Sequence, residues 1–136
     1  VIYLIGSLRN PEVPVVAAFL REQGHEVFDD WYAAGPNADD YWQAYEQIDR
    51  CHNFKQALAG EAANHIFEFD LSWLERCDSV VMLLPAGKSG HLEFGWAVGQ
   101  GKRGFVLFPK EPDRYDVMYQ FAHAVFFSKE ELAAAL

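Results

Sequence analysis

The chain has 136 residues, 51% hydrophobic and 15% aromatic, enough for one domain (1–136) with a real core. A net charge of -9 and a pI near 4.9 argue against a nucleic-acid backbone or an anionic membrane as the main partner, though not against a small anionic ligand held by local donors. Cys51 and Cys77 make neither a CxxC pair nor a metal spacing, and no apolar run approaches membrane-spanning length, so a cytoplasmic protein with two free thiols, no metal and no cofactor is expected.

Val1-Ile-Tyr-Leu-Ile5 lacks the basic flank of a signal peptide and reads directly as a first strand, ending at Gly6-Ser-Leu-Arg-Asn10. Pro11 suits an early helical turn, and Val15, Val16, Phe19 and Leu20 follow at helical spacing up to Gly24. His25 to Phe28 reads as a second strand. Trp31 to Asn37 reads as a loop broken at Gly35-Pro36. Helices are expected over Asp39 to about Arg50 and about Phe54 to Glu68, with a weak boundary between them. Asp70 looks like the N-cap of a further helix through Leu71, Trp73 and Leu74 to Cys77. Ser79 to Leu84 is a short apolar run, the pattern of a strand buried on both faces. Pro85, Gly87 and Gly90 break the chain, and the helix that follows stops at Gly99 and Gly101. Gly104 to Phe108 and Ala124 to Phe127 supply two more strands, and Lys129 to Leu136 a terminal helix. Strands alternating with helices imply an α/β fold: a flavodoxin-like or Rossmann-like five-stranded parallel sheet with helices on both faces.

The chemistry concentrates between Leu84 and Lys102. Glu93 is the one carboxylate on a helix of apolar and small residues, flanked on its own face by Gly90 and Ala97. It follows the carboxyl end of a strand, where open α/β sheets bind ligands. The plainer alternative is an anion in the first helical turn, favoured by the macrodipole. Gly87-Lys88-Ser89 is not a P-loop, because position 82 is Met where that loop needs glycine. The first strand has no GxGxxG, and the central strand ends in Leu84-Pro85 rather than a phosphoacceptor aspartate. His25, His52, His65, His91 and His123 show no HxH or HExxH spacing and read as surface or structurally satisfied.

Tyr3, Gly6-Ser-Leu-Arg9, Phe69-Asp70-Leu71 and the Pro85–Gly95 segment, taken together, resemble the nucleoside 2-deoxyribosyltransferase superfamily, which includes 2'-deoxynucleoside 5'-monophosphate N-glycosidases. The match runs from residue 1 to about 108, with a looser echo at Tyr115-Asp-Val-Met-Tyr119. The resemblance implies cleavage or transfer at the N-glycosidic bond of a nucleoside or nucleotide. Glu93 would be the nucleophile, Tyr3 the residue that orients it, and Asp70 the acid for the leaving base. Gly87 departs from the transferases, which carry an aspartate six residues before the nucleophile. The nucleotide glycosidases place small hydroxyl residues there and use the first-strand loop for phosphate. Ser7, Arg9, Lys88 and Ser89 would then suit a 5'-phosphate, with Gly6, Gly87 and Gly90 also among the substrate-binding residues. Asp116 stands where an asparagine from a neighbouring subunit is expected, and its charge would repel phosphate. Asp116 and Met118 would meet a partner's site in a homodimer or dimer-based tetramer with shared active sites. Trp31, Tyr32, Tyr41, Trp42 and Tyr45 lie where the family covers the base, although each ring equally suits packing onto the core. A non-catalytic nucleotide sensor on the same fold is the alternative reading.

Overall fold

A computed structural model describes all 136 residues. The strands are β1 (Ile2–Ile5), β2 (Val27–Phe28), β3 (Ser79–Leu83), β4 (Arg103–Leu107) and β5 (Ala124–Phe126), in one all-parallel sheet ordered β2-β1-β3-β4-β5. The helices are α1 (Glu12–Glu22), α2 (Ala38–Ala44), α3 (Phe54–Leu58), α4 (Glu61–Arg76), α5 (Lys88–Gly99) and α6 (Lys129–Ala135). This is the flavodoxin-like order, and its strand sequence reverses between β1 and β3.

The sheet is apolar on both faces because successive strand side chains point opposite ways. Ile2, Leu4, Val81, Leu83, Phe105 and Leu107 pack with Val13, Val16 and Leu20 of α1 and Leu132 of α6. Tyr3, Ile5, Val80, Met82 and Val106 pack with Leu74 of α4 and Phe94 and Ala97 of α5. Tyr3 therefore faces the α4–α5 layer.

Most expected elements form within a residue or two of their expected ends. β2 is shorter than expected, pairing only Val27 with Ile2 and Phe28 with Tyr3. The carbonyl of Leu4, one residue past that pairing, accepts instead from the Trp31 indole at 2.8 Å. The first part of the Trp31–Asn37 stretch expected as loop belongs to a 3₁₀ helix over Asp30–Ala34. α2 runs on as a π-helical turn over Tyr45–Asp49.

The main correction concerns Asp70. It is not an N-cap but lies inside α4, which runs unbroken from Glu61 to Arg76. Asn53 provides the cap instead, for α3, accepting from Gln56 N in a reciprocal capping box. Between Glu61 and Arg76 there is no glycine or proline, so nothing interrupts helix propagation at Asp70. Lys102 Nζ closes the far end of α4, donating to the carbonyls of Glu75 and Cys77 at 2.7 Å each. A second correction concerns α5, which starts at Lys88 with Gly87 as its N-cap, so Gly90 lies inside the helix. Glu93 is consequently in its second turn, beyond the reach of a simple first-turn dipole role.

Candidate active site

Three elements on one face of the sheet bring Tyr3, Glu93 and Asp70 to one locality. β1 presents Tyr3, which is 1% exposed. Its hydroxyl donates to Glu93 Oε2 at 2.6 Å, a short charge-assisted bond that satisfies two groups otherwise costly to bury. α5 approaches the sheet closely enough for this because of its small residues. A Cβ on Gly90 would stand 2.9 Å from Ile5 Cγ2 and 3.0 Å from Ala86 Cβ. Ala97, on the same helical face, is fully buried.

α4 is seated by an aromatic run that begins at the same tyrosine. Tyr3 packs on Phe28 with centroids 4.9 Å apart, and Phe28 stacks on Trp73 at 4.6 Å and 16°. Phe69 tilts onto Phe28 at 5.9 Å. Asp70 lies between Phe69 and Trp73 in this helix, so the packing that seats those rings carries its carboxyl towards Tyr3 and Glu93.

Burial dominates the electrostatics. It raises Glu93 from 4.5 to about 7, helped by the charge of Asp70 and opposed by the Tyr3 hydrogen bond. Burial alone raises Asp70 from 3.8 to about 6. Tyr3 is pushed far above its ordinary value by burial and by Glu93, so it remains a protonated donor. Both carboxyls therefore keep their protons to higher pH than exposed ones do, Glu93 to about 7 and Asp70 to about 6. Tyr3 aims a donor at Glu93 and favours its charged form, while burial keeps its carboxyl raised despite that bond. Such a pair suits one nucleophile and one acid.

The other residues expected at the site divide into three groups. Gly6, ending β1, sits against Val13, the Leu83 carbonyl and Trp31, where a Cβ would come within 3.0 to 3.6 Å. Ser7 Oγ accepts from Arg9 N at 3.2 Å, shaping the turn that follows. Gly87, Lys88 and Ser89 form the exposed start of α5, and Gly87 faces open space. These residues flank the carboxyl ends of β1 and β3. Arg9 departs from expectation: it bonds Asp40 at 3.1 Å and the Pro36 carbonyl at 3.3 Å, tying the first loop to α2. Trp42, on α2, buries its indole nitrogen without a partner. Asp116 and Met118 are both exposed, Met118 on a 3₁₀ helix (Val117–Phe121) and Asp116 at its cap, where Met118 N donates to Asp116 Oδ1.

Two polar pairs escaped the sequence reading. Glu46 is buried and accepts at 2.6 Å from His52 Nδ1. His91 bridges Gly87 and Tyr119. The four-residue spacing from Gly87 to His91 was the available signal for one half of that bridge; the Tyr119 half is purely tertiary.

No protein-family model matches the chain, and no curated protein matches it. Solved structures do. A CMP N-glycosidase from Clostridium botulinum superposes with a TM-score of 0.57 and 14% identity, covering 99% of this chain and 97% of that one. A 2-deoxyribosyltransferase from the psychrotolerant bacterium Bacillus psychrosaccharolyticus superposes with a TM-score of 0.64 and 20% identity, covering 97% of this chain and 89% of that one. With its 2-1-3-4-5 parallel sheet matched over nearly the whole chain, this protein shares its fold with that CMP N-glycosidase and that 2-deoxyribosyltransferase.

Proposed function

We propose that the protein is an enzyme that breaks, and in the presence of an acceptor base remakes, the N-glycosidic bond of a nucleoside or nucleotide. The observation that carries this reading is the 2.6 Å bond from Tyr3 to Glu93, which orients a desolvated carboxyl in the same locality as a second desolvated carboxyl, Asp70. A passive binding module has no need of that arrangement. The names of the two structural neighbours, one a glycosidase and one a glycosyltransferase, point to the same bond.

In the first step a Glu93 oxygen attacks C1' as the bond from C1' to the base nitrogen breaks. The electron pair leaves with the base, which takes the proton of Asp70. The products are a free base and a sugar ester on Glu93. In the second step Asp70, now ionised, takes a proton from water as the water oxygen attacks C1', and the ester bond breaks to restore the Glu93 carboxylate. Attack by the nitrogen of a second base gives transfer instead. Two displacements at C1' retain configuration.

Arg9, Ser7, Lys88 and Ser89 suit the 5' side in this reading, and the aromatic α2 region, Trp42 included, suits the base. Asp116 and Met118 are assigned to a neighbour's site in a homodimer or dimer-based tetramer. The exposed Val117, Met118 and Phe121, together with Ile66 and Phe67 of α4, are apolar surface of the kind that such contacts cover.

The test is incubation with a panel of nucleosides and 5'-monophosphates, with and without an acceptor base, followed by chromatography. Release of free base, a 2-fluoro-sugar adduct on Glu93 by mass spectrometry and inactivity of Glu93→Ala are the expected results. Binding without turnover across the panel would favour the sensor reading instead.

A further inference from the structure

His91 ties the start of α5 to a segment 28 residues away. The Gly87 carbonyl receives the backbone N–H of His91 at 3.2 Å and lies 2.9 Å from His91 Nδ1. A carbonyl only accepts, so Nδ1 carries the ring proton. Nε2 is then the acceptor, and the Tyr119 hydroxyl, 3.1 Å away, donates to it. Tyr119 also packs edge-on against Phe108, with centroids 5.4 Å apart. Its neighbours Val117, Met118 and Phe121 all face solvent. Tyr119 therefore anchors this 3₁₀ helix to the body of the protein, through the imidazole and through the Phe108 ring.

We propose that His91 is a positioning residue: through Gly87 and Tyr119 it clasps the Asp116–Phe121 segment to the turn ahead of α5, two residues before Glu93 in the helix. The clasp sets the shape of the opening at the start of α5 and with it the fit of a substrate's 5' side. The kinetic part of this inference rests on the proposed function; the hydrogen-bonded clasp does not.

The experiment uses the full chain and the variants His91→Phe, Tyr119→Phe and the double variant, with melting temperatures recorded for each. Long-range proton–nitrogen NMR on the wild type should show the Nδ1–H tautomer of His91. Amide exchange across Val117–Phe121 should accelerate about two- to tenfold in each single variant, the range set by one net hydrogen bond. The double variant should go little further than the faster single one, because both changes remove the same bond. With cytidine 5'-monophosphate as the probe, KM should rise in both variants while kcat holds. An Nε2–H tautomer, unchanged exchange or fully additive exchange overturns the clasp. Faster exchange with KM unmoved overturns the positioning role and leaves a merely structural one. If the wild type neither binds nor turns over the probe, the proposed function is in question, while the tautomer and exchange results still decide the clasp.

Discussion

Glu93 carries its charge in a place that disfavours it, and that has a measurable consequence for folding. Its carboxyl titrates near 4.5 when exposed and at about 7 in the folded protein, chiefly through burial. The folded state therefore holds the proton more tightly than the unfolded chain. Stability from this group is complete below about 4.5 and is lost as pH rises through about 7. Moving a carboxyl from 4.5 to about 7 amounts to roughly 3 kcal/mol once the group is fully ionised. Glu93→Gln is neutral at every pH, and its side-chain oxygen can still accept from Tyr3. Its new amide N–H group needs a partner, an offset of about 1 kcal/mol. The variant should thus be inactive yet more stable than wild type by about 2 kcal/mol at pH 8, with the gap closing below pH 5. Urea unfolding followed by tryptophan fluorescence at both pH values measures this, with the slopes checked for equality. Asp70 shifts in the same direction but is present in both proteins, so its contribution largely drops out of the comparison. A variant no more stable than wild type at pH 8, or a gap that does not change with pH, would refute the reasoning.

Asp70→Asn should lower kcat about 10²- to 10⁴-fold on a substrate whose base needs a proton to leave, and far less on one with an activated leaving group; equal losses on both would remove Asp70 from the acid role. The wild-type profile of kcat/KM should be bell-shaped, rising as the first of the two carboxyl protons leaves near pH 6 and falling as the second leaves above about 7. Activity that stays flat from pH 5 to 8 would contradict a one-proton pair. Gly90→Ala forces a methyl to within 2.9 Å of Ile5 Cγ2, and should cost about 1–3 kcal/mol in thermal or urea unfolding while lowering turnover by shifting α5.

β2, β3 and β4 were legible because each is a short apolar run bounded by glycine, proline or acidic residues, and a sheet buried on both faces writes itself plainly in such runs. Glu93 was legible for a related reason: a lone carboxylate among Gly90, Phe94 and Ala97 stands out against its own helix. The boundaries of α4 were not. Asp70 before Leu71, Trp73 and Leu74 has the local form of a cap, and only the continuity of the helix from Glu61 overrides it. Capping preference is a matter of about 1 kcal/mol, and the stack of Trp73 on Phe28 is a contact no window of sequence contains. Arg9 shows the same limit. Its charge was evident, but its pairing with Asp40 joins positions 31 residues apart. Both side chains are about two-thirds exposed, so the bond is weak and open to competition from a ligand anion.

The two faces of the sheet divide the protein's obligations. Tyr3, Asp70 and Glu93 all belong to the layer of α4 and α5, whereas α1 and α6 cover the opposite face with aliphatic packing around Leu20 and Leu132. Because strand side chains alternate, neighbours such as Tyr3 and Leu4 answer to different demands although they are adjacent in the chain. The α1–α6 layer can absorb substitutions that preserve its volume, and stabilising changes made there leave the Tyr3–Glu93 bond undisturbed. An engineer seeking a more robust protein, or a lineage drifting under relaxed selection, has room to vary on that side, while the other side must also keep its buried carboxyls in place.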